Sequence, residues 1–325
     1  MMERIIIDTD PGVDDAMAIL LAVKAADRLK IEALTTVDGN VGIRQVTDNA
    51  LSVLELCGAD HIPVYRGADR PLGKDVAYSD DFHGSDGLGG VNIRPERLKT
   101  MEEPAVDYLV RAAAEHPGEL TLVLLGPMTN TALAVRKDPG FAKNIRRLVV
   151  MGGAEHGGNM SPVAEFNFFH DPQAASEVFQ AGFKEIVMVG LDATGKVYMT
   201  PAMRELLYLI GTPISRFIHK ITRRYTDRRW EINRVMGCQL CDPLVAGYLI
   251  DPGILTLEDA HVEIETQGRC EGMSVVYRTK RYPELPVNCK IAVDTDSRRF
   301  FDVFYLTQFP EYRTEINAML DREFR

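Results

Sequence analysis

A chain of 325 residues with 46% hydrophobic and 26% charged residues has ordinary globular usage, enough to bury a sizeable core without disulfide or metal staples. Its net charge of -10 argues against an extended nucleic-acid or anionic-membrane surface and suits a small, uncharged or cationic ligand. Five cysteines, Cys57, Cys238, Cys241, Cys270 and Cys289, form an odd, scattered set that fits a reducing compartment better than a disulfide framework.

Met1-Met2-Glu3-Arg4 runs straight into a strand pattern with no apolar leader, and no later stretch reaches the roughly 18 apolar residues of a membrane span. A cytoplasmic protein is expected. Strands are predicted at Arg4–Asp8, Ile31–Val37, Ile62–Tyr65, Leu120–Leu125, Arg147–Met151 and Glu185–Val189. Helices at Asp15–Lys30, Ile43–Cys57, Ala105–Glu115, Thr129–Lys137 and Asp171–Ala181 link them. This alternation predicts an α/β fold, a doubly wound, mostly parallel sheet with helices on both faces. Continuous apolar runs such as Leu122-Val123-Leu124-Leu125 suit strands covered on both sides. The segment Gly67–Asn92, rich in Gly, Asp and Ser and without a clear period, reads as a long loop and a lid over the site. From Thr200 to Arg234 the pattern turns helical, and from Ala260 to Val293 it becomes alternating strands, a C-terminal helical and antiparallel appendage. No linker or repeat divides the chain, so one domain over residues 1–325 is expected.

The first strand ends in Asp8-Thr9-Asp10-Pro11-Gly12-Val13-Asp14-Asp15. Asp8 and Asp10, two apart, point to one side, and Pro11-Gly12 turns the chain into a helix starting near Asp14 and Asp15. Two readings fit these carboxylates. Either Asp14 and Asp15 cap the helix while Asp8 and Asp10 stay solvated, or the charges converge on one corner and hold a hard cation through oxygen ligands, Ca²⁺ or Mg²⁺. Cys238-Gln-Leu-Cys241, the only close cysteine pair, lacks the second pair of a zinc site and the strand-to-helix context of a redox site.

The octet resembles the opening motif of the inosine-uridine-preferring nucleoside hydrolases. The resemblance continues, in order, through Val37-Asp38-Gly39-Asn40, Gly126-Pro127-Met128-Thr129-Asn130, Met151-Gly152-Gly153, Val163-Ala164-Glu165-Phe166-Asn167 and Cys241-Asp242-Pro243. Each segment follows a predicted strand or lies in a later loop, where open α/β sheets bind ligands. The resemblance implies Ca²⁺-dependent hydrolysis of the N-glycosidic bond of a small ribonucleoside, by a homodimer or homotetramer. It implies that Asp10, Asp15 and Asp242 coordinate Ca²⁺ through carboxylates and Leu125 through its backbone carbonyl. It places the sugar against Asp14, Asn40, Asn159, Glu165 and Asn167, with Asp242 shared between metal and substrate, and makes Asp10 the general base.

The family pattern breaks at the leaving group. Many members carry a histidine directly before the metal-binding aspartate, and here that residue is Cys241, whose thiol is a weak donor. Cys241, His83 on the lid and Tyr225 are therefore the candidates near the departing base. Tyr225-Thr226-Asp227-Arg228-Arg229-Trp230 offers there a phenol, two guanidiniums and the only tryptophan, or else is an exposed amphipathic helix. Three rivals share this sequence logic. One is a hydrolase of another N-riboside, such as nicotinamide riboside or a modified nucleoside. A second is a non-catalytic ribose or nucleoside sensor, which has no need of a base at Asp10. The third, a phosphate-transferring hydrolase of the acidic-loop type, needs a lysine after a later strand, and none is so placed.

Overall fold

The computed structural model describes residues 2–75 and 80–325. Its centre is a nine-stranded sheet. The strands are β1 (Glu3–Thr9), β2 (Leu29–Thr36), β3 (Val64–Arg66), β4 (Leu120–Leu124), β5 (Arg147–Met151), β6 (Ile186–Val189), β7 (Leu255–Ile264), β8 (Ser274–Arg278) and β9 (Cys289–Thr295). In space they run β8-β7-β9-β6-β5-β4-β1-β2-β3, and only β7 opposes the others. The helices used below are α1 (Val13–Lys24), α2 (Ile43–Cys57), α3 (Ala105–Glu115), α4 (Thr129–Lys137), α5 (Phe166–His170), α6 (Pro172–Gln180), α7 (Pro201–Ile210), α8 (Pro213–Asn233), α9 (Cys241–Ile250), α10 (Ser297–Gln308) and α11 (Arg313–Glu323).

Strand alternation divides the apolar residues between two cores. Ile5 and Ile7 of β1 face one core with Val123, Val149 and Met151, under α1, α2 and α9; Ile6 faces the other with Leu122, Leu124, Leu148 and Val150, under α3, α4 and α6. Each such buried side chain stabilises the fold by about 1.5–3 kcal/mol relative to exposure. Both faces are therefore closed to water, and the open surfaces of the sheet are the ends of its strands.

Three features differ from the sequence reading. Helix α1 ends at Lys24 rather than Lys30, because Ala25 caps it and Leu29 is already paired with Glu3 in the sheet. The antiparallel C-terminal strands extend the main sheet itself, since β9 pairs in parallel with β6 through Lys290–Val187 and Ile291–Met188. Helix α9 was not foreseen. All ten of its residues are buried, and a helix buried on every side, with Asp242 its one charged residue, has no amphipathic period to betray it. It packs against α1, beneath the carboxyl ends of the parallel strands. Among the described residues no helix is long and apolar enough to cross a membrane.

Candidate active site

The loops after β1, β2, β4 and β5 and the start of α9 meet around a cavity of about 470 Å³. Asp14, Asn40, His83, Leu125, Asn159, Glu165, Asn167, Tyr225, Cys241 and Asp242 all line it. Asp10 and Asp15, both 1% exposed, sit beneath that lining and are tied to it by Asn40.

The acidic corner is built by close backbone approach. A Cβ on Gly39 would lie 2.0 Å from Asp10 Oδ2, and one on Gly126 would lie 2.5 Å from Asp10 Oδ1, so only glycine lets these two loops close around the carboxylate. The Asn40 amide N–H donates to Asp10 Oδ2 at 2.7 Å, and its side-chain Nδ2 donates to the Asp10 carbonyl and to Asp15 Oδ2, both at 3.1 Å. Asp15 also accepts from Thr9 Oγ1 at 2.6 Å and from the Gly12 amide at 3.0 Å. It thus caps α1 and joins the acidic corner at once, combining the two readings its sequence allowed.

Carboxylate oxygens of Asp14, Asp15 and Asp242 lie within 4.8 Å of one another. Burial raises the proton affinity of each. Asp14 is pushed up to about 6, with the backbone amides around it, including those of Asp242 and Cys241, drawing it partly back. Burial and then the Asp14 charge raise Asp15 and Asp242, and Asp10 is held well above the usual carboxylate range by burial and the charge of Asp15. Carboxylates so grouped could hold a single ion between them, and an all-oxygen donor set would select a hard cation. Asp10 Oδ1 is buried without a hydrogen-bond partner, which fits a further ligand or a water at that atom. The residues present therefore fit a divalent metal.

Asp8 does not share this corner. Strand β1 continues to Thr9, so Asp8 is still inside the sheet opposite Thr35, and its Oδ1 accepts from Thr35 Oγ1 at 2.5 Å and Asn130 Nδ2 at 2.7 Å. Asp242, from the first turn of α9, takes the place that the octet alone assigned to Asp8.

Around the cavity wall, Glu165 caps α5 by accepting from the amides of Asn167 and Phe168 and also accepts from Gly153 at 3.0 Å. Burial nevertheless pushes its carboxyl up to about 7. Asn167 Nδ2 donates to the carbonyls of Leu125 at 2.8 Å and Met151 at 3.1 Å, so the Leu125 carbonyl meets an amide as well as the cavity. Asn159 is exposed, at the rim.

From the predicted lid, the turn Asp80–His83 brings Phe82 and His83 into the wall; residues 76–79 of that loop lie outside the described residues. His83 Nδ1 accepts from the Val13 amide at 3.0 Å, which leaves the ring hydrogen on Nε2. Burial lowers its proton affinity to about 4, against the charge of Asp15, so His83 is a neutral hydrogen-bond donor at neutral pH rather than a proton-donating imidazolium.

Tyr225 is buried beside Phe82 and His83, with ring centroids 5.3 Å and 5.9 Å away. Burial, then the Asp14 charge, raises the Cys241 thiol well above its usual range, so it stays protonated. Of the rest of the Tyr225–Trp230 segment only Arg229 lines the cavity; Trp230 is 47% exposed and points elsewhere. Phe166, Met151 and Gln239 were not singled out from the sequence. Phe166 and Met151 lie within motifs quoted from the sequence, whereas Gln239, between the paired cysteines, carries no signal of a binding role.

The family model described as "Inosine-uridine preferring nucleoside hydrolase" matches residues 5–302. The chain is 39% identical over 306 residues to the inosine-uridine preferring nucleoside hydrolase of Leishmania major, covering 93% of this chain and 96% of that protein. It is 37% identical over 306 residues to the probable uridine nucleosidase 2 of Arabidopsis thaliana, covering 91% and 94%. Among solved structures, a plant nucleoside hydrolase superposes with a TM-score of 0.89 at 34% identity, over 95% of this chain and 99% of the other. With the acidic corner, the polar cavity above it and these likenesses over almost its full length, the chain belongs to the inosine-uridine preferring nucleoside hydrolase family.

Proposed function

We propose that this protein hydrolyses ribonucleosides to ribose and a free base, and that the metal it uses is Ca²⁺ held by Asp10, Asp15, Asp242 and the Leu125 carbonyl. The observation that carries this reading is the set of buried carboxylates opening onto a cavity lined with Asn40, Glu165 and Asn167. The relatives' names range from uridine nucleosidase to inosine-uridine hydrolase, so the ribose is the common element. By the family resemblance we carry forward a homodimer or homotetramer acting on free nucleosides, and from the sequence reading a cytoplasmic protein.

In the reaction, water replaces the base at the sugar's anomeric carbon. The bond to the base nitrogen breaks with its electron pair going to the base, and positive charge grows on the ribose. Ca²⁺ held by Asp10, Asp15, Asp242 and the Leu125 carbonyl would supply positive charge that makes the attacking water more acidic. Asp10 accepts the water's proton. Its Oδ2 is fixed by the Asn40 amide, Oδ1 is unpartnered, and burial raises its basicity, which a general base requires. Asp14 and Glu165 set a negative field around the ribose that favours the cationic sugar. The Asn40 and Asn167 amide hydrogens are spent within the protein, so their carbonyl oxygens are the atoms that accept from ribose hydroxyls.

The direct test is a reducing-sugar assay over a panel of nucleosides with and without a strong chelator. Ribose should be released from ribonucleosides, release should stop after metal removal and return with Ca²⁺, and 2′-deoxynucleosides should be poor substrates because unpaired hydroxyl-binding groups cost roughly 1–3 kcal/mol each. Full activity in chelator, or equal kcat/KM for a ribonucleoside and its 2′-deoxy analogue, rejects the proposal.

Gly39→Ala places a methyl against Asp10 Oδ2 and should lower kcat by about 10²-fold with the fold intact by circular dichroism, since displacements of this size disrupt catalysis to that extent. Wild-type kcat in the Gly39→Ala enzyme would show that Asp10's position is not critical. For Cys241, a protonated thiol that only shapes the wall predicts a kcat loss below about 10²-fold in Cys241→Ala, whereas Asp10→Ala should cost far more. A larger loss in Cys241→Ala, at unchanged metal content, would make the thiol a working acid.

A further inference from the structure

The cavity has a basic wall as well as an acidic floor. Arg229, on α8, lines it together with Gln239 and Cys241, while Asp14 and Asp242 line the acidic side. The guanidinium is held from behind. Nη2 donates to the Tyr198 phenol oxygen at 2.5 Å, and the guanidinium carbon stands 5.3 Å from the centroid of that ring. The phenol donates to Gln239 Oε1 at 3.4 Å, and the Gln239 amide donates to Thr194 Oγ1 at 3.1 Å. Arg229 Nε is buried and has no hydrogen-bond partner. Among the described residues no carboxylate pairs with Arg229, although its neighbours Arg223 and Arg228 on the same helix pair with Asp227 and Glu231. A buried N–H without a partner at a cavity wall is costly to keep unless a ligand meets it.

The hydrolase reading, on which this inference rests, leaves one charge without a partner. The acids neutralise the ribose cation, but the departing base takes the electron pair of the broken bond; the Cys241 thiol is a weak donor, and His83 already uses Nδ1 to accept from the Val13 amide. With the sugar over Asp14 and Asp242, the base extends toward the remaining wall. We propose that Arg229 is a catalytic residue for base departure. Its guanidinium meets the negative charge that grows on the base, and so the site favours bases bearing a ring carbonyl oxygen, such as uracil and hypoxanthine, over adenine.

The step balances without a further reactant. The anomeric carbon–nitrogen bond breaks, its electron pair spreads over the base nitrogen and carbonyl oxygen, the water oxygen bonds to the anomeric carbon, and the water's proton goes to Asp10. The base leaves as an anion paired with Arg229 and takes its proton from solvent. A guanidinium donates and never accepts, and its fork suits an oxygen acceptor; adenine presents an amino group where hypoxanthine presents its oxygen.

The test compares wild type, Arg229→Met and Arg229→Lys on uridine, inosine, adenosine and a 4-nitrophenyl riboside, whose leaving group departs as a stable anion without help. Arg229→Met should lose about 10²-fold in kcat/KM on uridine and inosine, the scale expected on removing one preorganised donor, and far less on adenosine. On the nitrophenyl riboside it should stay within about 3-fold of wild type, which also reports an intact ribose site. Arg229→Lys, keeping charge but losing the fork, should fall between the two. Equal losses on all substrates, or no loss on uridine and inosine, overturn the proposal. Release of ribose from none of them by the wild type would instead sink the hydrolase reading itself.

Discussion

Five carboxylates, Asp10, Asp14, Asp15, Glu165 and Asp242, are buried together at the carboxyl ends of the parallel strands of one mixed sheet. Each is pushed toward its protonated form by burial, and the charges of the aspartates add to the strain on one another. Such a grouping is unfavourable to folding unless positive charge offsets it, because desolvation of an unpaired carboxylate costs several kcal/mol. The grouped aspartates could hold a cation, and the loops close around them as a cradle that fits one.

The fold supplies part of that offset itself. Asp14 and Asp15 stand in the first turn of α1 and Asp242 in the first turn of α9, so two helix N-termini, packed against one another, direct their partial positive charge at the same point. Asn40 then links the β2 loop to both Asp10 and Asp15, and Asn49 ties the loop at Asp86 to the octet by donating to the carbonyls of Pro11 and Asp86. What remains is a cavity with two characters. Its floor is acidic and polar, suited to a polyol whose ring becomes cationic; its far wall carries Arg229, Tyr225 and His83, suited to a flat heterocycle that becomes anionic.

Much of this was legible in the sequence because the site is written in short segments, each following a strand. Asp8–Asp15, Val37–Asn40, Gly126–Asn130 and Val163–Asn167 announce themselves locally, and strand periodicity places them at one edge. What was not legible depended on pairing between distant residues. Asp8 left the acidic corner because β1 runs one residue further against β2 than its apolar run suggests. Helix α9 was invisible because full burial removes amphipathic period. The chain Arg229–Tyr198–Gln239–Thr194 joins residues far apart in sequence and has no motif at all.

Calorimetric titration of metal-stripped protein with Ca²⁺ in two buffers of different ionisation heat tests whether the buried carboxylates form a cation cage. One ion per chain should bind with a net release of protons, because burial favours the protonated carboxyls and a metal ligand must be ionised. Asp242→Asn should weaken binding by orders of magnitude. Absence of binding, or binding that releases no protons and is indifferent to Asp242→Asn, would contradict it.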